Sequence, residues 1–550
     1  MRITGRLALA AVVVLWAAPT QASVSGHVLA QDGVTPVAGA GVRVQGTSGP
    51  VATSAADGSF TLAVSYTGTR TITASIPYVP GAPINRTTSG QLGVADGETS
   101  VQILLPLVPS TEGDRLQLQN AEFCGGCHSD QVPQWQASNH ADAALDTWVL
   151  DLFSGTGTPG GGAGYVYRNL HDPGETGFCA TCHAAIEDSV PPGGQVMLDE
   201  VTAPAALDGV GCMTCHAVDS VNNNMGGLHH LGNATYRFPS QTPPVPDWTF
   251  VWGPLPDVAQ AMNNSESAVH DDSRFCGSCH EYVRPDIPTV PGQTTYSEWL
   301  ASPYAVPGPG FRDCQSCHMP TDTQPGPIVS GGPDRPPEQR HFHTFVGATP
   351  ATLSSAILLS ASGQDIGGQL EVQAQVTNQG AGHSFPSGVS VRNAILVVSA
   401  TRLGVPLPQS SGPTVPFWAD DDVPGQQPGD YAGQPGKGYA RILEGRINDT
   451  GPVVRPVLFV DAEDVFSDTL LPAGQADTTT LTFAFPPGTQ PGDVIDVDVR
   501  LLYRRAFRAT AVTKGWAQTP QGGPVEIEVA SQSFQVTLTT PVELQGLTIQ

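Results

Sequence analysis

The sequence is poor in positive charge. Lys and Arg number 24 against 50 Asp and Glu, for a formal net charge of -26 and a pI near 4.7. A nucleic-acid backbone would be repelled by such a chain, which excludes nucleic acid as a partner. Charge of either sign is scarce, at 13% of residues, while Gly and Pro number 62 and 50. That balance argues against long solvated helices and for sheets and loops. Long apolar runs are also lacking. The one that stands out, from Leu7 to Ala18, follows Arg2 and Arg6 and precedes Ala22. It is shorter than the roughly 20 residues of a comfortable membrane span, and it reads as the core of a secretory signal peptide over residues 1–22. No later segment approaches that length, so the mature chain is expected to have no membrane span. Methionine, at six residues, is scarce too, and no cysteine is left over for a disulfide.

What the chain has instead is one short motif, five times. All ten cysteines fall in Cys-x-x-Cys-His: Cys124/Cys127/His128, Cys179/Cys182/His183, Cys212/Cys215/His216, Cys276/Cys279/His280 and Cys314/Cys317/His318. Zinc sites built from such pairs need two per metal, and five pairs leave one over. A redox dithiol needs a single pair and no fixed histidine. The pattern reads as covalent attachment of five c-type haems, with the two thiols bonded to the porphyrin and the adjacent histidine as proximal iron ligand. Attachment of this kind takes place outside the bacterial inner membrane, in agreement with the signal peptide and with a periplasmic or extracellular location.

Strand-like alternation flanks the motif region on both sides. Before it, Ser25 to Leu29, Ala40 to Val44 and Ser59 to Val64 alternate between turn signals such as Ala56-Asp57-Gly58. After it, Leu370 to Val376, Val494 to Leu501, Val525 to Val529 and Phe534 to Leu538 do the same. The predicted architecture is therefore multidomain. An N-terminal all-β sandwich (23–110) and a C-terminal, immunoglobulin-like β domain (351–550) flank a loop-rich, short-helix haem domain (113–347). Helices are expected at Gln131 to Thr147 and Thr295 to Ala301. Residues 404–455 are expected to form an irregular insertion and Gly160 to Gly164 a flexible loop.

Nine histidines remain after the five motif residues. His27 lies on a predicted strand and reads as structural or exposed. The other eight form six local groups for five irons: His140, His171, the pair His229 and His230, His270, the pair His341 and His343, and His383. His140, His229, His230, His270, His343 and His383 are the distal-ligand candidates. His171 is the weakest group, suited to a propionate hydrogen bond, and His341 is a bystander. Met213 and Met319 sit inside or beside motifs and return poorly to their own iron. Arg274, Arg284 and Arg312 lie near motifs as candidate propionate partners.

The segments EFCGGCHSDQVPQWQASNHADA, GFCATCHAA, RFCGSCHEYVRPDIPTVPGQTTYSEWLASPYA and DCQSCHMP resemble the multihaem c-type cytochromes related to the tetrahaem electron acceptor of hydroxylamine oxidoreductase. The resemblance implies a distal ligand from the Trp135-x-x-Ser138-x-His140 helix and another from His343. Gly382-His383-Ser384-Phe385-Pro386 resembles a loop of larger members with a C-terminal β domain, which implies His383 as a third. Residues 23 to about 108 resemble the carboxypeptidase-regulatory-like sandwich, in that family an accessory or adhesive module. The reading that follows is an electron carrier passing charge along mainly bis-histidine haems to redox partner proteins or extracellular acceptors. Two alternatives stand beside it: an oxidoreductase with one five-coordinate haem acting on a nitrogen or sulfur compound, and a subunit of an extracellular cytochrome filament.

Overall fold

Alternation of apolar and polar residues fixes which side of each strand faces inward, and this decides the architecture at both ends of the chain. The computed structural model describes residues 22–189, 195–221, 234–240, 250–259, 262–284, 287, 289–420 and 429–539. The signal peptide read at 1–22 lies outside them except for Ala22. The chain divides into two compact units, the first made of residues 1–77, 82–108 and 255–266, the second of 78–81, 109–254 and 267–550. No described helix is long and apolar enough to cross a membrane.

In the first unit, strand Ser23–Ala30 runs between Ser59–Ala63 and Val101–Leu105, antiparallel to one and parallel to the other. A second sheet orders Ala52–Thr53, Gly41–Val44, Thr69–Ser75 and Ser89–Ala95. Val24, Val28, Val42, Leu62, Ile72, Val94 and Ile103 fill the space between the sheets. His27 points outward from its strand. Gly58, at φ 77, makes the expected tight turn, and a Cβ there would meet the Val28 carbonyl oxygen at 2.5 Å. Residues 255–266 join this unit through Asp257, whose carboxylate accepts from Gly46 N at 2.6 Å, and Glu266, which accepts from Ser75 Oγ at 2.8 Å. Ile103 is 1% exposed, so Ile103→Val is expected to cost about 1 kcal/mol. The measurement is hydrogen exchange: amides of Val101–Leu105 should exchange faster while those of Val494–Arg504 are unchanged. Rates unchanged from the wild type in both ladders would contradict this packing.

In the second unit, two larger sheets face each other across one core. One orders Ile357–Ile366, Gln369–Asn378, Ala476–Ala484 and Gln409–Ser411; the other orders Val405–Pro406, Asn393–Arg402, Val494–Arg504 and Glu526–Thr537, with Gly436–Tyr439 also paired to Asn393–Arg402. Leu370, Val372, Leu396, Val398, Leu481, Phe483, Val497 and Val499 lie between them, each at most 2% exposed. The stretches Val525 to Val529 and Phe534 to Leu538, expected as two strands, are one strand whose pairing with Val494–Arg504 shifts register between Leu501 and Leu502.

Three expectations are corrected here. The helix expected over Gln131 to Thr147 stops at Gln136, and a separate helix spans Thr147–Phe153. Ser138 Oγ donates to the Trp135 carbonyl and accepts from His140 N, turning the chain out of the helix. Within 404–455, Gly436–Tyr439 and Arg441–Glu444 are ladder strands, and Trp418 is buried beneath them. The glycine run is pinned: Gly161 and Tyr165 carbonyls accept from the Lys514 ammonium at 2.5 and 2.6 Å, and a Cβ on Gly161 would overlap the Asp151 carboxylate.

Candidate functional site

The motifs are helical turns. Helices Cys179–His183, Cys212–His216 and Cys314–His318 consist of the motif alone, Ser273–His280 ends on one, and Ala121–Gly125 leads into the first. Cysteines at i and i+3 with histidine at i+4 therefore share one face of a single turn. Side-chain caps start three of these helices: Asn120 accepts from Phe123 N at 3.2 Å, Asp272 from Arg274 N at 2.8 Å and Asp313 from Ser316 N at 2.7 Å. All ten thiols are free of disulfides.

The first motif differs from the other four in its local structure. Cys127 lies past the end of Ala121–Gly125, in a turn, and is exposed, whereas eight of the others are half-buried and only Cys317 shares its exposure. The cause is the pair Gly125-Gly126 between the two cysteines, since glycine is a poor helix former and the helix ends there. The spacing of the motif nevertheless survives. Cys127 N and His128 N both donate to the Cys124 carbonyl, at 3.1 and 2.9 Å, and the Cys127 carbonyl in turn accepts from Ser330 N at 2.8 Å. Cys127 thus keeps its place one turn from Cys124, on the solvent side of the site.

Each motif imidazole is oriented through its Nδ1. For His128 the partner is Ile328 O at 3.0 Å, for His183 Ala143 O at 2.7 Å, for His216 Trp252 O at 2.8 Å and for His318 Val346 O at 2.8 Å. His280 Nδ1 instead meets the Gln293 amide at 3.2 Å. A carbonyl on Nδ1 fixes the tautomer that leaves the Nε2 lone pair free for a metal, the usual support of a ligating histidine.

A second imidazole faces three of them. Ring centres lie 6.3 Å apart for His140 and His280, 5.7 Å for His216 and His270, and 6.5 Å for His318 and His383. Two imidazoles bound through nitrogen at about 2 Å on opposite sides of one metal have ring centres roughly 6 Å apart. Burial holds His140, His270, His343 and His383 down at about 4, so at neutral pH these rings are uncharged donors. The residues present fit a covalently attached haem: two thiols and an oriented imidazole from one turn, and a neutral imidazole opposite.

The remaining histidines divide. His343 is within electrostatic reach of both His128 and His216, with Nδ1 on the His341 carbonyl at 3.0 Å. His341 itself bonds the Met319 carbonyl at 2.8 Å. His171 has both ring nitrogens engaged, Nδ1 with Tyr167 O at 3.1 Å and Nε2 with Asp461 Oδ1 at 2.7 Å, and its ring stacks on Tyr167. Neither His128 nor His183 has a second imidazole in ring contact among the described residues, and His229 and His230 lie outside them.

Two features are invisible to a motif search. Thiols of different motifs lie within electrostatic reach of one another: Cys124 of Cys212, Cys182 of Cys279, and Cys276 of Cys314. The arginines chosen by proximity in sequence are already occupied, Arg274 by Asp272, Arg284 by Asp449 and the Ala462 carbonyl, and Arg312 by the carbonyls of its own loop.

Residues 123–217, which hold three of the five motifs, match the family described as cytochrome c554 and c-prime. Among solved structures, the chain is similar to a penta-heme cytochrome c552 from Thermochromatium tepidum, at 19% identity and a TM-score of 0.49, over 77% of this chain and 100% of that one. A second, described as "AvmM Catalyzes Macrocyclization in Alchivemycin A Biosynthesis", is similar at 12% identity and a TM-score of 0.14, over 33% of this chain and 89% of that one. No curated protein matches. The family match over the first three motifs supports a multihaem c-type cytochrome, with haem c as its cofactor and electron transfer as its broad role.

Proposed function

We propose that this chain is an exported pentahaem c-type cytochrome that passes electrons along mainly bis-histidine haems to redox partner proteins or extracellular acceptors. The observation that carries the reading is the set of three imidazole pairs, His140/His280, His216/His270 and His318/His383, at the spacing of opposed ligands on one iron. His343 is the candidate for the iron of His128. Bound haem iron supplies the redox chemistry by alternating between ferric and ferrous states. The chain's own part is to hold a second imidazole opposite the motif histidine at three of the five sites, which leaves no open position for a substrate there and favours transfer over catalysis.

The neighbouring thiols suggest how the attachment sites connect. The first motif neighbours the third, the second and third both neighbour the fourth, and the fourth neighbours the fifth. Electrons would then follow an order different from that of the sequence.

The alternative, an oxidoreductase acting on a nitrogen or sulfur compound, rests on His128 and His183, neither of which has a second imidazole in ring contact among the described residues. Low-temperature EPR of the oxidised holoprotein and carbon monoxide binding after reduction separate the two. Only low-spin ferric signals and no carbon monoxide complex are expected. A high-spin signal accompanied by carbon monoxide binding in the purified protein would replace the carrier reading with the enzyme.

A further inference from the structure

Nine arginines follow residue 350, and seven of them make ion pairs with carboxylates. The two without a carboxylate partner among the described residues are Arg392 and Arg505, and they are neighbours. The ladder between Asn393–Arg402 and Val494–Arg504 ends on the pair Asn393 and Arg504, so Arg392 and Arg505 stand opposite each other one step past its end. Arg504 shows the ordinary arrangement, with Nε on Glu526 at 2.7 Å and its other nitrogens on the Ala419 and Gly429 carbonyls. Arg505 donates once, to the Ala348 carbonyl, and its Nε is buried with no partner. Arg392 donates once, to the Ser387 carbonyl at 3.2 Å. Two guanidinium groups side by side repel, and burial together with the charge of Arg392 lowers the pKa of Arg505. In a chain of net charge -26, an uncompensated pair of cations beside a half-buried loop calls for an anion.

Their surroundings indicate which anion. The Ala348 carbonyl held by Arg505 lies two residues beyond Val346, whose carbonyl orients His318. Arg392 is within electrostatic reach of His383 and His280. The Ser387 carbonyl that it holds belongs to the loop carrying His383. Both guanidinium groups thus flank the place where His318 and His383 face each other.

We infer that Arg392 and Arg505 form a carboxylate clamp for the propionate of the haem attached at Cys314 and Cys317. This rests on the haem reading above and adds a second role for the C-terminal sandwich: it supplies the counter-charge of that haem as well as an imidazole. Guanidinium suits the task because its planar fork takes a carboxylate through two parallel bonds, which an ammonium cannot do. Neutralising a propionate removes negative charge near the iron and so favours the ferrous state. The same pair of cations would also accept a dissolved carboxylate or oxyanion, and the test has an arm for that source.

The test is a spectroelectrochemical titration of the holoprotein and of Arg392→Gln, Arg505→Gln, Arg392→Lys and Arg505→Lys. Arg500→Gln, on the same sheet but paired with Glu528, is the control for a general loss of charge. Haem content is counted first by pyridine haemochrome. A protein without haem would remove the underlying reading, whereas loaded protein tests the clamp alone. In the Gln variants the reduction equilibrium of one haem should weaken about tenfold, a fall of about 59 mV for a one-electron couple, with no change in Arg500→Gln and a smaller fall in the Lys variants. Because the Lys variants keep the charge, they carry the test should the Gln variants fail to fold. Fully loaded variants that titrate like the wild type would overturn the clamp. So would a wild-type wave that moves with added acetate or phosphate at constant ionic strength, since that would mark a site open to dissolved anions.

Discussion

In His383→Ala, one haem in five is expected to become high-spin and to bind carbon monoxide, while the rest of the spectrum stays low-spin. His383 sits on the loop after strand Gln369–Asn378, with its ring 6.5 Å from that of His318 and inclined at 13°. The loop is held without help from the imidazole. Asn378 Nδ2 donates to the His383 carbonyl at 2.8 Å and to Leu471 O at 3.1 Å, while the buried Phe385 pairs with Leu471 through the backbone. From the other side, Glu298 accepts from Ser384 N at 3.2 Å and from Ser387 Oγ at 2.7 Å. Truncating the ring therefore deletes a donor and leaves the backbone where it was. Added imidazole should restore the low-spin signal. His171→Ala is the contrast, because both nitrogens of His171 are already engaged with Tyr167 and Asp461, and its spin state should match the wild type. A His383→Ala protein with an unchanged EPR spectrum and no carbon monoxide complex would remove His383 from the ligand set.

Local rules account for what could be read from the sequence alone. A Cys-x-x-Cys-His turn needs no distant partner to present its thiols and imidazole on one face, and four of the five are helical as they stand. The fifth loses its helix at Gly125-Gly126, which leaves Cys127 in an exposed turn. The strict alternation around Val372 and Val497 likewise encodes strands with one face in a core. Long-range partners account for the rest. Nothing near Asp257 in the sequence announces that its carboxylate will accept from Gly46 N. The glycines at 160–164 look like a flexible loop until Lys514, some 350 positions later, donates into them. Arg274 lies beside its motif, but its guanidinium pairs with its own neighbour Asp272. Arg392 and Arg505 are remote from every motif in the sequence, and only the ladder brings them together.

Lys514 gives the second large effect. It is one of two lysines in the chain, at the end of helix Arg508–Lys514 in the C-terminal part, and 1% of its surface is exposed. Its ammonium has three donors, and the carbonyls of Asp151, Gly161 and Tyr165 take them at 2.9, 2.5 and 2.6 Å. The Asp151 carboxylate, itself fully buried, accepts from Thr158 N and Oγ1 at 2.6 Å each and from Trp516 Nε1 at 2.7 Å. Trp516 stacks on Trp148 with ring centres 4.3 Å apart. One buried cation and one buried anion therefore join the region between the first two motifs to the C-terminal sandwich. Lys514→Met keeps most of the volume but strands three carbonyls and an uncompensated carboxylate, at a cost of about 3–5 kcal/mol. Asp151→Asn keeps a hydrogen-bonding side chain and should cost less, and the double variant should cost less than the sum of the two, because removing one charge removes the reason to keep the other. Denaturant unfolding of the haem-loaded protein, followed by far-ultraviolet circular dichroism, measures all three. A Lys514→Met midpoint within experimental error of the wild type would mean that the three carbonyls find other donors and that this contact does not hold the two parts together. With the expected loss, limited proteolysis should cut first within residues 154–166, the loop that Lys514 pins.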